Sequence, residues 1–146
     1  MKTILDDGKS WTVASLAYAD DLRLVLVEGI RSDKPEDVQI DDVALTGLHA
    51  VEITEESRRV EVRFARVVAW QVVDESYTNW DESEERDDTG FLVALSKSAY
   101  LKFVDEHHGW YKDMAGPAVH YRLWTEDEVI DVIAHEEPVM QLVASN

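Results

Sequence analysis

The chain has 146 residues, 31 acidic and 14 basic, for a formal net charge of −17. That length fits one domain, residues 1–146, able to bury roughly 70% of the surface its unfolded form exposes, and the absence of cysteine excludes disulfides and thiolate zinc sites. The charge opposes binding to nucleic acids and anionic membranes, and it would draw in a basic protein partner.

No apolar stretch approaches the roughly 18 residues that a membrane span requires. Asp6 and Asp7 interrupt the N-terminus where a secretory signal would be apolar. The expectation is a soluble, cytoplasmic protein. Plain solubility, common in bacterial proteins, is the alternative meaning of the charge. The 19 valines favour strands, because β-branched side chains suit a pleated surface.

In chain order, Met1 to Gly8 reads as a short leader closed by a turn. Trp11 to Leu16 and Leu22 to Glu28 alternate as strands, and Asp20-Asp21 between them suggests a hairpin. Ile30 to Asp37, with Pro35, reads as a loop. Val38 to Leu45 fits a kinked strand or an irregular edge, and Gly47 to Ile53 a further strand. Val60, Val62 and Phe64 alternate with Glu61, Arg63 and Ala65 as in a half-buried strand. The run Val67 to Val73 is nearly continuous in apolar residues. It reads as a central strand covered on both faces, or as a bend at Ala65-Arg66, and the fifteen-residue length of Arg59 to Val73 favours a bulge.

Asp74 to Gly90 is an acidic, aromatic loop. Six of the eight residues from Asp81 to Asp88 are acids, a density that favours an extended or mobile run. Phe91 to Leu95 is strand-like. Ser96 or Ser98 can cap a helix over Ala99 to His108, with His107 and His108 suiting its C-terminus and Gly109 its end. Trp110 to Pro117 reads as a loop with room for a helical turn, and Ala118 to Trp124 alternates as a strand. Thr125-Glu-Asp-Glu128 matches a capping box, but the β-branched run Val129 to Ile133 favours a strand. Val139 to Asn146 reads as a short strand or tail. Together these elements predict a mainly β (α+β) fold: an antiparallel β-sandwich or partly open barrel of about seven to nine strands, with one helix near 98–108 packed over it. Phe64, Val68, Trp70, Val72, Leu92 and Leu95 are the expected core.

Catalytic signals are sparse. The five histidines, His49, His107, His108, His120 and His135, form no HExxH. His49 and His120 both fall in predicted strands and could meet on one sheet face. Asp81, Ser83, Glu85 and Asp87 have the spacing of a calcium loop, but the glycine and closing glutamate of such a loop are replaced by Arg86 and Leu92. There is no GxSxG and no glycine-rich phosphate loop. No cofactor and no metal are expected.

The expected function is therefore a non-enzymatic acidic protein-binding module, such as an inhibitor or immunity-type protein that takes a basic partner. Tyr77 and Trp80 would be its anchors, and Asp81, Glu82, Glu84 and Glu85 its charged rim. A second reading is a small-molecule-binding barrel or sandwich with Trp70, Tyr121 and Trp124 around its mouth. A third is a hydrolytic or metal-dependent enzyme using His49 or His120.

Overall fold

The computed structural model describes residues 1–144, and their side chains except those of 33–36, 38 and 48–50. Eleven strands lie among these residues: β1 (Trp11–Ala19), β2 (Asp21–Glu28), β3 (Ile30–Ile40), β4 (Val43–Glu52), β5 (Arg59–Phe64), β6 (Val67–Asp74), β7 (Glu85–Arg86), β8 (Leu92–Lys97), β9 (Val119–Trp124), β10 (Glu128–Ala134) and β11 (Val139–Val143). They form three antiparallel sheets, ordered β1-β2-β5-β11, β6-β10-β9-β8-β7 and β3-β4. Two helices, α1 (Ala99–His108) and α2 (Tyr111–Ala115), follow β8. The fold is mainly β, a sandwich with a helix packed on it, as the alternation of apolar and polar residues predicts.

Period-two patterning builds the core. Leu22, Leu24 and Leu26 face Phe64, Val62 and Val60 across the β2–β5 ladder, and all six are fully buried. The opposing sheet contributes Leu92, Tyr121, Leu123, Ile130 and Val132, and the Phe64 and Tyr121 rings meet 5.9 Å apart. Removing a Leu or Phe side chain from water contributes about 1.5–3 kcal/mol each. The N-terminal turn joins this core through Leu5 and the partly buried Met1. Thr3 caps a 3₁₀ turn, Leu5 is fully buried, and the Trp11 indole donates to the Leu5 carbonyl at 2.9 Å. The Asp6 carboxylate accepts from the Phe91 amide at 2.7 Å, tying this turn to the start of β8.

The bend read at Ala65-Arg66 is present: Arg59 to Val73 is two strands in two different sheets, parted at Arg66, whose φ of 52° turns the chain. Two other expectations about the strands need correction. Val67 to Val73 is an edge strand: Val68 and Trp70 are half-buried and Val72 is exposed, while Phe64, Leu92 and Leu95 are buried as expected. The strand covered on both faces is β10, where Val129 to Ala134 are all buried. Ile30 to Asp37 is not a loop. It belongs to β3, which pairs with β4 as an arm joined to the sandwich through Gly29; a β-carbon at Gly29 would come within 2.4 Å of Val51. Pro35 sits in that ladder beside a register shift, as befits a strand with a free edge.

Candidate functional site

The outer face of the five-stranded sheet carries the polar chemistry. Because side chains alternate along a strand, His120, Arg122 and Trp124 of β9 point away from the core, as does Asp131 of β10. Register sets Arg122 opposite Asp131, His120 opposite Ile133 and Gln71 opposite Asp131. Over one end of this face lies α1, capped by Ser98, whose Oγ accepts from the Leu101 amide at 3.0 Å and whose helix buries Val104. Over the other end lies the acidic loop.

These groups form one continuous network. Ser98 Oγ is 2.7 Å from His120 Nδ1, and His120 Nε2 is 2.6 Å from Asp131 Oδ1. Asp131 also accepts from Arg122 Nε at 2.8 Å and from Gln71 Nε2 at 3.0 Å. Arg122 Nη1 donates to Glu84 at 2.7 Å, and Arg86 donates to the same Glu84 oxygen at 2.7 Å. Ser98, His120 and Asp131 are 7%, 0% and 3% exposed. Burial pushes the Asp131 carboxyl up, but the His120 and Gln71 hydrogen bonds and the Arg122 charge outweigh it and hold the group below its ordinary value. Burial likewise opposes the Arg122 charge, and Glu84 and Asp131 more than offset it. No buried side-chain nitrogen or oxygen among the described residues lacks a partner.

The acidic loop is folded, not extended. A 3₁₀ turn (Glu75–Tyr77) opens it, Asp81 closes an Asx-type turn on the Ser83 amide at 2.9 Å, and β7 pairs with β8. Part of its charge is offset from beneath, where Arg86 and Arg122 both pair with Glu84. The Arg86 guanidinium lies 3.9 Å from the Trp80 ring centroid, and Trp80 packs 6.3 Å from Trp124. Tyr77 and Trp80 are nonetheless 80% and 62% exposed.

The six loop residues named from the sequence therefore divide. Tyr77, Trp80, Glu82 and Glu85 face solvent and Asp81 is half-buried, whereas the Glu84 carboxylate is turned inward, 7% exposed and doubly paired. A shallow cavity of about 450 Å³ lies between Trp80, Glu82, Glu85, Arg86 and Asp88. Trp70, Tyr121 and Trp124 are not brought together. Trp70 and Tyr121 belong to the inner side, Trp70 touching Tyr18 with ring centroids 6.0 Å apart, and Trp124 to the outer side. A cavity of about 620 Å³ lies elsewhere, between the N-terminal turn and the base of the arm, lined by Gly8, Ser10, Gly29, Arg31 and Val51 among others. His49 is on the arm and His120 in the five-stranded sheet, so the two share no sheet; the His49 side chain lies outside the described residues. Among the described residues no three histidine or carboxylate groups cluster as metal ligands would.

Sequence reasoning missed Ser98, Asp131 and Gln71 as members of one network. One signal pointed there: Asp131 is a single acid inside Val-Ile-Asp-Val-Ile, and a carboxylate buried in a central strand requires several donors. Comparison with protein families, curated proteins and solved structures finds no match to this chain.

Proposed function

We propose that the protein is an acidic protein-binding module that takes a basic partner, in the manner of an inhibitor or immunity-type protein, through the loop from Asp74 to Gly90. The observation that carries this reading is the presentation of Tyr77 and Trp80. Both rings are largely in water, yet the loop holding them is fixed to the sheet through Glu84, Arg86 and Trp124. A ring held outward in advance loses less conformational freedom on binding than a mobile one. Exposed aromatic side chains with a charged surround are the usual anchors of an interface. Here Asp81, Glu82 and Glu85 supply the rim and Glu84 the support, and the net charge of −17 favours a cationic face on the partner.

The test begins with affinity capture from the source cell and proceeds to kinetics with the captured partner at two ionic strengths. Trp80→Ala is expected to speed dissociation. Reversal of Glu82 and Glu85 to lysine is expected to slow association, with a loss that shrinks as salt rises. Parental kinetics in both variants would remove the loop as the contact.

A further inference from the structure

We propose that Ser98, His120 and Asp131 form a nucleophilic relay and that the chain hydrolyses short acyl esters at Ser98. The inference is independent of the partner-binding reading, since it concerns the opposite end of the same sheet face.

The direction of the relay follows from the donor inventory. An ionised Asp131 can only accept, so the 2.6 Å contact places the ring proton on His120 Nε2. In the neutral tautomer Nδ1 would carry the lone pair, and the Ser98 hydroxyl would be the donor in the 2.7 Å contact. The order is Ser to His to Asp, as nucleophilic catalysis requires. Arg122 and Gln71 fix the carboxylate in turn, at 2.8 Å and 3.0 Å. The cap on α1 does not compete with this role. Ser98 Oγ receives the Leu101 amide on one lone pair and donates its proton to His120, which leaves its second lone pair available to attack.

Surroundings suited to the chemistry are present. Ser98 stands between β8 and α1, so the first-turn amides of Ala99 and Tyr100 begin a ten-residue helix and have no acceptor within it. They lie at the positive end of the helix dipole, where an oxyanion is stabilised. Ser98 lines an open cleft of about 280 Å³ together with Ser96, Lys97, Leu101, Lys102, Asp105 and Glu106, a small space suited to a short acyl group.

In the first step Ser98 Oγ bonds to the ester carbonyl carbon while its proton moves to His120 Nδ1. The C–O bond to the alcohol then breaks, and the alcohol leaves with that proton. In the second step a water gives a proton to Nδ1 and bonds to the acyl carbon. The Ser98 ester bond breaks, Ser98 recovers the proton, and a carboxylic acid departs.

The experiment exposes the intact protein to a fluorophosphonate probe and maps the adduct by peptide mass spectrometry, alongside hydrolysis of p-nitrophenyl acetate. The expected result is one adduct, on Ser98, and a burst of p-nitrophenol. His120→Gln is expected to slow labelling about 100-fold, and Ser98→Ala to abolish the burst. Because Ser98→Ala also removes the helix cap, labelling of the parent chain decides. An unmodified Ser98 after saturating exposure overturns the proposal, and so does a burst that survives in a folded Ser98→Ala variant.

Discussion

Arg122 on the middle strand of the five-stranded sheet and Glu84 in the acidic loop are joined at 2.7 Å, with side chains 12% and 7% exposed. This ion pair makes the loop part of the sheet. Glu84→Gln keeps the shape but leaves Arg122 and Arg86 without their shared counter-charge. Breaking one partner of a buried pair costs about 3–5 kcal/mol. Urea denaturation should show a loss of that order, and Trp80 fluorescence should shift as its support loosens. An unchanged midpoint would mean that the pair does not hold the loop.

The Asp131 carboxyl has a lower pKa in the folded chain than its ordinary 3.8. The unfolded chain therefore takes up the proton first as pH falls. The stability this group contributes is present in full above the ordinary value and is lost as pH drops through the depressed native one. Asp131→Asn should be destabilised at neutral pH, and the gap between parent and variant should narrow below about pH 4. Denaturation curves collected from pH 7 to pH 2 measure that gap.

The phenols of Tyr100 and Tyr111 are pushed up to about 12. Burial is the main cause for both, aided by the Asp131 charge at Tyr100 and by the Asp105 hydrogen bond at Tyr111. A raised native value means that stability is intact below the ordinary 10.0 and declines as pH rises toward 12. Absorbance titration at alkaline pH should show a late phenolate phase, and Tyr100→Phe and Tyr111→Phe should each diminish it.

Phe64→Ala tests the core. The ring is fully buried between Leu22 and Tyr121, and its loss should cost about 3–5 kcal/mol by chemical denaturation. A change below about 1 kcal/mol would mean that the site collapses without a cavity.

What could be read in the sequence was what is local. Alternation along Leu22–Leu26 and Val60–Phe64 gave the inner face, Asp20-Asp21 the first hairpin, and Ser98 with Gly109 the limits of α1. The capping-box pattern at Thr125 was ambiguous because the same side chain serves a tight turn: Thr125 Oγ1 donates to the Glu128 carbonyl at 2.7 Å and accepts from the Glu128 amide at 3.1 Å, closing the β9–β10 hairpin. What could not be read was pairing at a distance. Strand position within a sheet is set by partners far away in sequence, so the apolar run at Val67 gave no sign of lying on an edge. Ser98, His120 and Asp131 stand 22 and 11 residues apart and meet only through the β8–β9 and β9–β10 registers. The acidic run misled for the same reason, since Arg122, one of the two arginines paired with Glu84, is 38 residues from it.

The β2–β5 ladder pairs Val27 with Arg59 and continues one step further, the Glu28 amide donating to the Arg58 carbonyl at 2.9 Å and the two side chains forming an ion pair. The chain leaves the sandwich and returns to it at adjacent points. Everything from Gly29 to Ser57 is thus a detour between two residues already hydrogen-bonded to each other. In topological terms that segment is an excursion: the β2–β5 pairing closes before it begins, so a change in the length of the arm beyond Gly29 leaves that register in place.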